Sequence, residues 1–252
     1  MDNTIDIAKQ AANQTINKQA ISANNLANVS TPGFKAQFRN LLHTISNEND
    51  NDKLTIDSFQ YDLSHGIIRH TEQPLDIALP EDYSWFLLRN DRLEDFYTRN
   101  GHFEVNEKGE LTMKGLYVMN PKGIPVKVPI NSIPSFNSDG VLTALVQENN
   151  ESKVVTIGPV KVVNILDNSY LYKHPNGFFR LRDTNVPTVD SIVEKNEKAQ
   201  VIPGALEESN VNPTENVIDM INNTRQFDMQ MKMISDCNEN EQKANSILNI
   251  NN

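Results

Sequence analysis

The sequence predicts an α+β protein. Long N- and C-terminal helices form a coiled-coil-like terminal domain around a mainly antiparallel β central domain. Three observations predict it. Residues 3–28 contain neither proline nor glycine. Residues 54–202 break into short apolar runs separated by turn signals and hold most of the 12 prolines. From residue 213 onward, apolar residues return in alternating steps of three and four. The expected boundaries are residues 1–34 for the N-terminal helix of the terminal domain, 35–74 for an extended linker, 75–203 for the central β domain and 204–252 for the C-terminal helix.

The first helix places Ile5, Ala8, Ala12, Ile16, Ala20, Ala23 and Ala27 on one stripe, with Leu26 beside the last. The stripe is rich in alanine, so it permits close approach but buries little area. The helix is expected to stop near Asn28, because Thr31 precedes Pro32 and is pushed out of the helical region. Pro32 and Gly33 suit the central positions of a type II turn. The polar stretch from His43 to Lys53 has little to bury and reads as an exposed connection.

The β region follows. Its candidate strands are LTIDSF, LDIAL, SWFLL, GELTM, LYVM, IPVKV, GVLTALV and GPVKVVNIL. Asn100-Gly101, Lys108-Gly109 and Asp139-Gly140 sit between runs and predict hairpin turns or bulges. Asn212 then reads as an N-cap, Pro213 as the first helical residue and Glu215 as the third. Val217, Met220, Thr224, Phe227, Met231 and Ile234 form a heptad seam behind it. Met229 and Met233 lie off that seam. A helix to Asn249 would span roughly 55 Å.

Charge and composition exclude several function classes. With 33 acidic against 23 basic residues, the formal net charge of -10 argues against nucleic acid and anionic lipid. The single cysteine, Cys237, permits no internal disulfide and reads as a small apolar residue on a helix face. No apolar run reaches 18 residues, so no membrane-inserting helix is expected, and the start lacks the pattern of a cleavable signal peptide. Phosphate-loop, nucleophile-elbow, zincin and dinucleotide motifs are absent. His65 and His70 fall on opposite strand faces, which makes two structural histidines the simpler reading than a metal site. Asp76 reads as a turn or backbone-capping residue. No enzyme activity, metal or cofactor is expected. An assembly component fits helices held at opposite ends of the chain.

The block ANNLANVSTPGFK, residues 23–35, resembles the N-terminal signature of flagellar rod and hook proteins. TEQPLDIAL, FYTRNGHFEVNEKGELTMKG and GALEESNVN are similar to that family's central and C-terminal blocks, in the same order. RQFDMQMKMI, with KANSIL after it, is most similar to the proximal-rod members. PEDYSWFLL lacks the glycines usual after the PLD block, and Asn120 stands where a glycine is common; both bear on loops near Glu81 and Asn120.

The resemblance implies a structural subunit of the proximal rod of the flagellar basal body, the axial shaft that crosses the periplasm and transmits torque. It implies export through the flagellar type III apparatus without signal cleavage. Its partners would be copies of itself and other rod proteins. By the same resemblance, Asn24, Asn25, Leu26, Ala27, Asn28, Thr31, Gly33 and Phe34 are terminal-domain assembly positions, as are Leu206, Glu207, Ser209, Asn210, Val211 and Asn212. The alternatives are a distal-rod or hook-type subunit of the same family and, in a different class, a β-domain cell-wall glycan hydrolase.

Overall fold

A computed structural model describes residues 2–43, 55–137, 139–148, 151–165, 170–182, 193–195 and 200–249. Two helices, α1 (Asp2–Ala27) and α2 (Pro213–Asn249), flank a region of strands that pair antiparallel throughout. The class is α+β. The chain divides into two compact units, one of Met1–Val29, Ala36–Asp62 and Val211–Asn252, the other of Ser30–Lys35 and Leu63–Asn210.

In the first unit α1 and α2 pack as an antiparallel pair: Thr15 Oγ1 donates to Gln230 Oε1 at 3.1 Å. The segment expected to be a linker contains a hairpin, Gln37–His43 against Thr55–Tyr61. Polar residues 44–53 lie outside the described residues. Helix α1 ends where proline sterics place it, and the turn after it forms as expected. Phe34 N–H donates to the Thr31 carbonyl at 3.2 Å, and Gly33 takes φ +67°. At the other end, Asn212 Oδ1 accepts from the N–H of Thr214 and Glu215 at 3.1 and 3.3 Å, capping α2. Residues 204–210, counted with that helix from sequence, are strand and turn instead: Ala205–Glu207 pairs with Ile68–His70.

The second unit is built on a nine-stranded sheet centred on Ser84–Arg89, which pairs with Asp95–Thr98, Leu116–Val118 and Val162–Ile165. Ser84–Arg89 is almost wholly apolar and buried because neighbours cover both faces. Phe86, Leu88, Phe96, Phe103, Leu111 and Leu142 are at the centre of the core. A separate three-stranded sheet runs Ser132–Phe136, Val141–Glu148, Glu151–Pro159. Pro134 is tolerated because its strand is an edge. The run IPVKV is not a strand; Pro125 and Lys127 make only isolated bridges.

Four loops share one construction. Asn90, Asn106, Asn120 and Asn137 each accept, through Oδ1, the N–H groups two and four residues later at 2.8–3.0 Å. The residue three positions on closes back to the asparagine carbonyl. That residue has positive φ: Gly109, Gly123 and Gly140 in three loops, but Leu93, at +63°, in the fourth. Lys108-Gly109 and Asp139-Gly140 therefore read correctly as turns. Asn100-Gly101 does not: it makes no hairpin, and a Cβ on Gly101 would lie 1.7 Å from the Ile77 carbonyl oxygen. Gly33 has both constraints, since a Cβ there would lie 2.3 Å from Asn100 N.

Leu93 is 78% exposed, so it gains no packing for its left-handed backbone, which costs about 1–2 kcal/mol for an L-residue. Leu93→Gly is expected to raise the melting temperature by about 2–4 °C, read by calorimetry. An unchanged or lower transition would show that the leucine is not strained.

Candidate functional site

The residues singled out from sequence fall into three groups in the structure. The first closes α1 onto the hairpin. Asn25 is buried, and its side-chain amide pairs with the Gln37 backbone as another strand would: Nδ2 donates to the carbonyl and Oδ1 accepts the N–H, both at 2.9 Å. Asn28 Nδ2 donates to the Asn24 carbonyl at 2.9 Å and finishes the helix. Leu26 is half-buried and Ala27 exposed.

The second group lies inside the β unit. Gly33 N–H donates to the Glu207 carbonyl at 2.7 Å, and Asn210 N–H to the Phe34 carbonyl at 3.4 Å. Asn210 Nδ2 reaches the Ser64 carbonyl at 3.1 Å. Leu206 and Phe34 are buried, and Ser209 is half-buried. Lys173 Nζ stands 3.9 Å over the centre of the Phe34 ring, and burial lowers its pKa to about 8.

Glu207 is the centre of this group and is fully buried. Its carboxylate accepts from Lys35 Nζ at 2.6 Å, Arg99 Nε at 2.8 Å and Gly66 N–H at 3.1 Å. Lys35 Nζ also donates to the Ser64 carbonyl at 2.6 Å. Arg99 donates to the carbonyls of Leu79, Glu81 and Ser84, so each buried cation is satisfied on more than one side. His65 Nδ1 lies 3.0 Å from Arg99 and Nε2 3.0 Å from Asp82, which makes it a member of this network. Burial alone would raise the Glu207 pKa; Arg99 and then Lys35 outweigh it and hold the carboxyl below its ordinary value. Burial also lowers the Arg99 guanidinium, against the pull of Glu207. Sequence reasoning did not single out Lys35 or Arg99. The available signal was a charged residue inside each of two blocks, STPGFK and FYTRNG.

Asp76 does more than cap a turn. Its buried carboxylate accepts from Thr71 Oγ1 at 2.5 Å and meets His102 Nδ1 at 2.6 Å, while its carbonyl accepts from Gly204 N–H at 2.8 Å. His70 is exposed and belongs to neither network.

The third group is the helix pair, where the observed contact faces differ from the expected stripes. On α1 the inward column is Ala8, Ala12, Thr15, Gln19 and Ser22; Ile16 is 50% exposed, and Ala20 and Ala23 are exposed. On α2 the half-buried positions are Asn216, Met220, Asn223, Phe227, Gln230, Ile234 and Cys237. Of the expected seam, Met220, Phe227 and Ile234 face α1. Val217 (42% exposed) and Met231 (46%) are exposed, and Thr224, also exposed, lines a cavity shared with Thr15, Ile16 and Gln19 of α1. The pair thus holds amides and hydroxyls inside and leaves Ile7, Ile16, Ile218, Ile221, Met229 and Met233 outside. Among the described residues, no helix is long and apolar enough to cross a membrane.

The depressed Glu207 pKa makes the β unit sensitive to acid. Its stabilisation is fully present above the unfolded-state value of about 4.3 and is lost as pH falls through the lower folded value. Glu207→Gln leaves two buried cations without their carboxylate, a loss of about 3–5 kcal/mol. Melting curves from pH 7 to pH 3 are expected to show a lower transition for the variant at neutral pH and a flatter acid limb. Equal transitions at pH 7 would mean that the ion cluster does not hold the unit together.

Two sequence families match the ends of the chain. One, described as Flagella basal body rod protein, matches residues 5–35, and Flagellar basal body rod FlgEFG protein C-terminal matches residues 202–247. The flagellar basal-body rod protein FlgF of Salmonella typhimurium is 35% identical over 254 residues, covering 99% of this chain and 100% of that protein. FlgF of Escherichia coli gives the same identity and coverage. FlgG of Buchnera aphidicola (subsp. Schizaphis graminum) is 26% identical over 253 residues, covering 93% and 95%. Identity at the FlgF level over essentially the full length of both chains shows that this chain belongs to the FlgF family of flagellar basal-body rod proteins.

Proposed function

We propose that the chain is a structural, non-enzymatic subunit of the proximal rod of the flagellar basal body, exported by the flagellar type III apparatus without cleavage. It polymerises through α1 and α2, with copies of itself and other rod proteins as partners. The observation that carries this reading is the polarity of the helix pair. Apolar side chains on the outside of two long helices are stable only when covered, and a polymer of like subunits covers them. The alternating three- and four-residue steps of the half-buried positions support a coiled-coil-like core made by these helices. Within this reading the terminal helices form the rod-core domain. The motif residues divide accordingly. Asn24, Asn25, Leu26, Ala27 and Asn28 shape the end of α1, and Asn212 caps α2 after the buried Val211. Thr31, Gly33, Phe34, Leu206, Glu207, Ser209 and Asn210 act from within the β unit by fixing the chain segments next to the helices.

Phe227 is the largest side chain on the α2 contact face and is half-buried. Phe227→Ala is expected to remove roughly half the 3–5 kcal/mol of a fully buried phenylalanine, about 2 kcal/mol. In cells lacking the wild-type gene, the variant should be exported but poorly incorporated into basal bodies, with the melting of the β unit unchanged. Asn222→Ala, on an exposed position, is the control. Normal incorporation of Phe227→Ala would remove the helix pair from the assembly interface. Locating the chain in a basal-body reconstruction tests the proximal position itself.

A further inference from the structure

The chain has two Asn-Gly steps, Asn100-Gly101 and Asn176-Gly177. Such a step is chemically labile. The glycine nitrogen attacks the asparagine carboxamide carbon, because no Cβ screens the approach. The attack is favoured when the side chain already folds over the peptide that follows it. Both asparagines do this. Asn100 Oδ1 accepts the His102 N–H at 2.9 Å and Asn176 Oδ1 the Phe178 N–H at 3.2 Å, an Asx turn in each case. Their surroundings differ. Asn100 is half-buried, and a Cβ on Gly101 would lie 1.7 Å from the Ile77 carbonyl oxygen. The Gly101 carbonyl also accepts the Ile77 N–H at 3.1 Å. Gly33 presses on the same step, since a Cβ there would lie 2.3 Å from Asn100 N. Pro175, Asn176 and Gly177 are instead exposed, at the tip of the hairpin that pairs Leu171–Lys173 with Phe179–Leu181. A Cβ on Gly177 would meet no atom within 4 Å. Gly177 N–H donates to the His174 carbonyl at 2.9 Å, and a turn bond at an exposed tip opens without unfolding the unit.

We propose that Asn176 is a site of spontaneous deamidation in the folded protein, while packing keeps Asn100 intact. Water is the base and the second reactant. The Gly177 nitrogen loses its proton to solvent and bonds Asn176 Cγ; the Cγ–Nδ2 bond breaks, and ammonia leaves with a proton. Water then opens the resulting succinimide at either carbonyl, giving aspartate or isoaspartate at position 176. Closing that ring needs rotation of the peptide between the two residues. The hairpin tip leaves room for it, whereas the Ile77 and Gly33 backbones block it at Gly101. Both products add a negative charge, and isoaspartate also lengthens the turn by routing the backbone through its Cβ. The hairpin register puts Lys173 opposite Phe179, and Lys173 Nζ stands 3.9 Å over the Phe34 ring. A longer turn therefore acts on the strand end that carries Lys173.

The test incubates the full chain in mildly alkaline buffer, folded and in urea, and follows both positions by peptide mass spectrometry. In the folded chain, position 176 is expected to convert about tenfold faster than position 100; in urea the two rates converge, because both are Asn-Gly steps. An isoaspartyl methyltransferase with a labelled methyl donor is expected to mark position 176 of the aged, folded chain. Asn176→Gln, whose longer amide closes a six-membered ring far more slowly, is expected to stay unmarked there. After ageing it is expected to melt above the aged wild-type chain. The proposal fails if position 176 converts no faster than position 100 in the folded chain, if the difference persists in urea, or if aspartate forms without isoaspartate. Equal melting of the two aged chains would overturn the coupling of the turn to Lys173.

Discussion

Glu207 is a carboxylate with no access to solvent, and such a group is stable only if its charge is matched. Lys35 and Arg99 match it, each within 2.8 Å, and each is itself held by backbone carbonyls. The three residues come from segments far apart in sequence: the turn after the first helix, the end of a central strand and the strand before the second helix. Their convergence makes residues 30–35 and 205–210 part of the β unit, with Phe34, Lys35 and Ala205–Glu207 in its interior. The segments next to both helices are therefore fixed by one buried charge cluster. Gly33 belongs to the same constraint, because its N–H bonds the Glu207 carbonyl and any Cβ would meet the Asn100 backbone. Short backbone approach, positive φ and ion pairing all demand particular residues there, which is why the motif blocks that resemble a known family cluster at this point.

The helix pair follows the opposite rule. A self-sufficient two-helix unit would bury its isoleucines and methionines and expose its amides. Here Thr15, Gln19, Asn223 and Gln230 face inward beside Met220, Phe227 and Ile234, while Ile7, Ile16, Ile218, Ile221, Met229 and Met233 are exposed. Such a pair gains little from its own seam. It gains more from company, and the membership of the chain among flagellar rod proteins supplies a setting in which company is the function. The same economy explains the alanines of α1. They keep the helix slim enough for close neighbours, at the cost of stability in isolation.

What was legible in the sequence was local. Pro32-Gly33 announced the turn after α1, and Asn212-Pro213 announced the cap of α2, since both act through dihedral limits and nearby hydrogen bonds. The run SWFLL marked a strand buried along its whole length, which tolerates an unbroken apolar stretch, whereas LYVM and GVLTALV marked strands that alternate buried and half-buried residues. The Asn-x-x-Gly loops were visible at two glycines, and the leucine that replaces glycine in one of them hid the repeat.

The sequence by itself determined the class of the protein, the ends of its helices and its kinship, because these depend on neighbours within a few residues and on ordered motif blocks. Tertiary structure alone decided three matters. It chose Asn223 and Gln230 over Thr224 and Met231 for the helix seam, since both columns have the same 3.5-residue period and only the partner's surface distinguishes them. It placed Asp76 between Thr71 and His102, a meeting made by strand pairing rather than spacing. And it joined Lys35, Arg99 and Glu207, residues separated by 64 and 108 positions, because a buried charge selects its partners by distance in space.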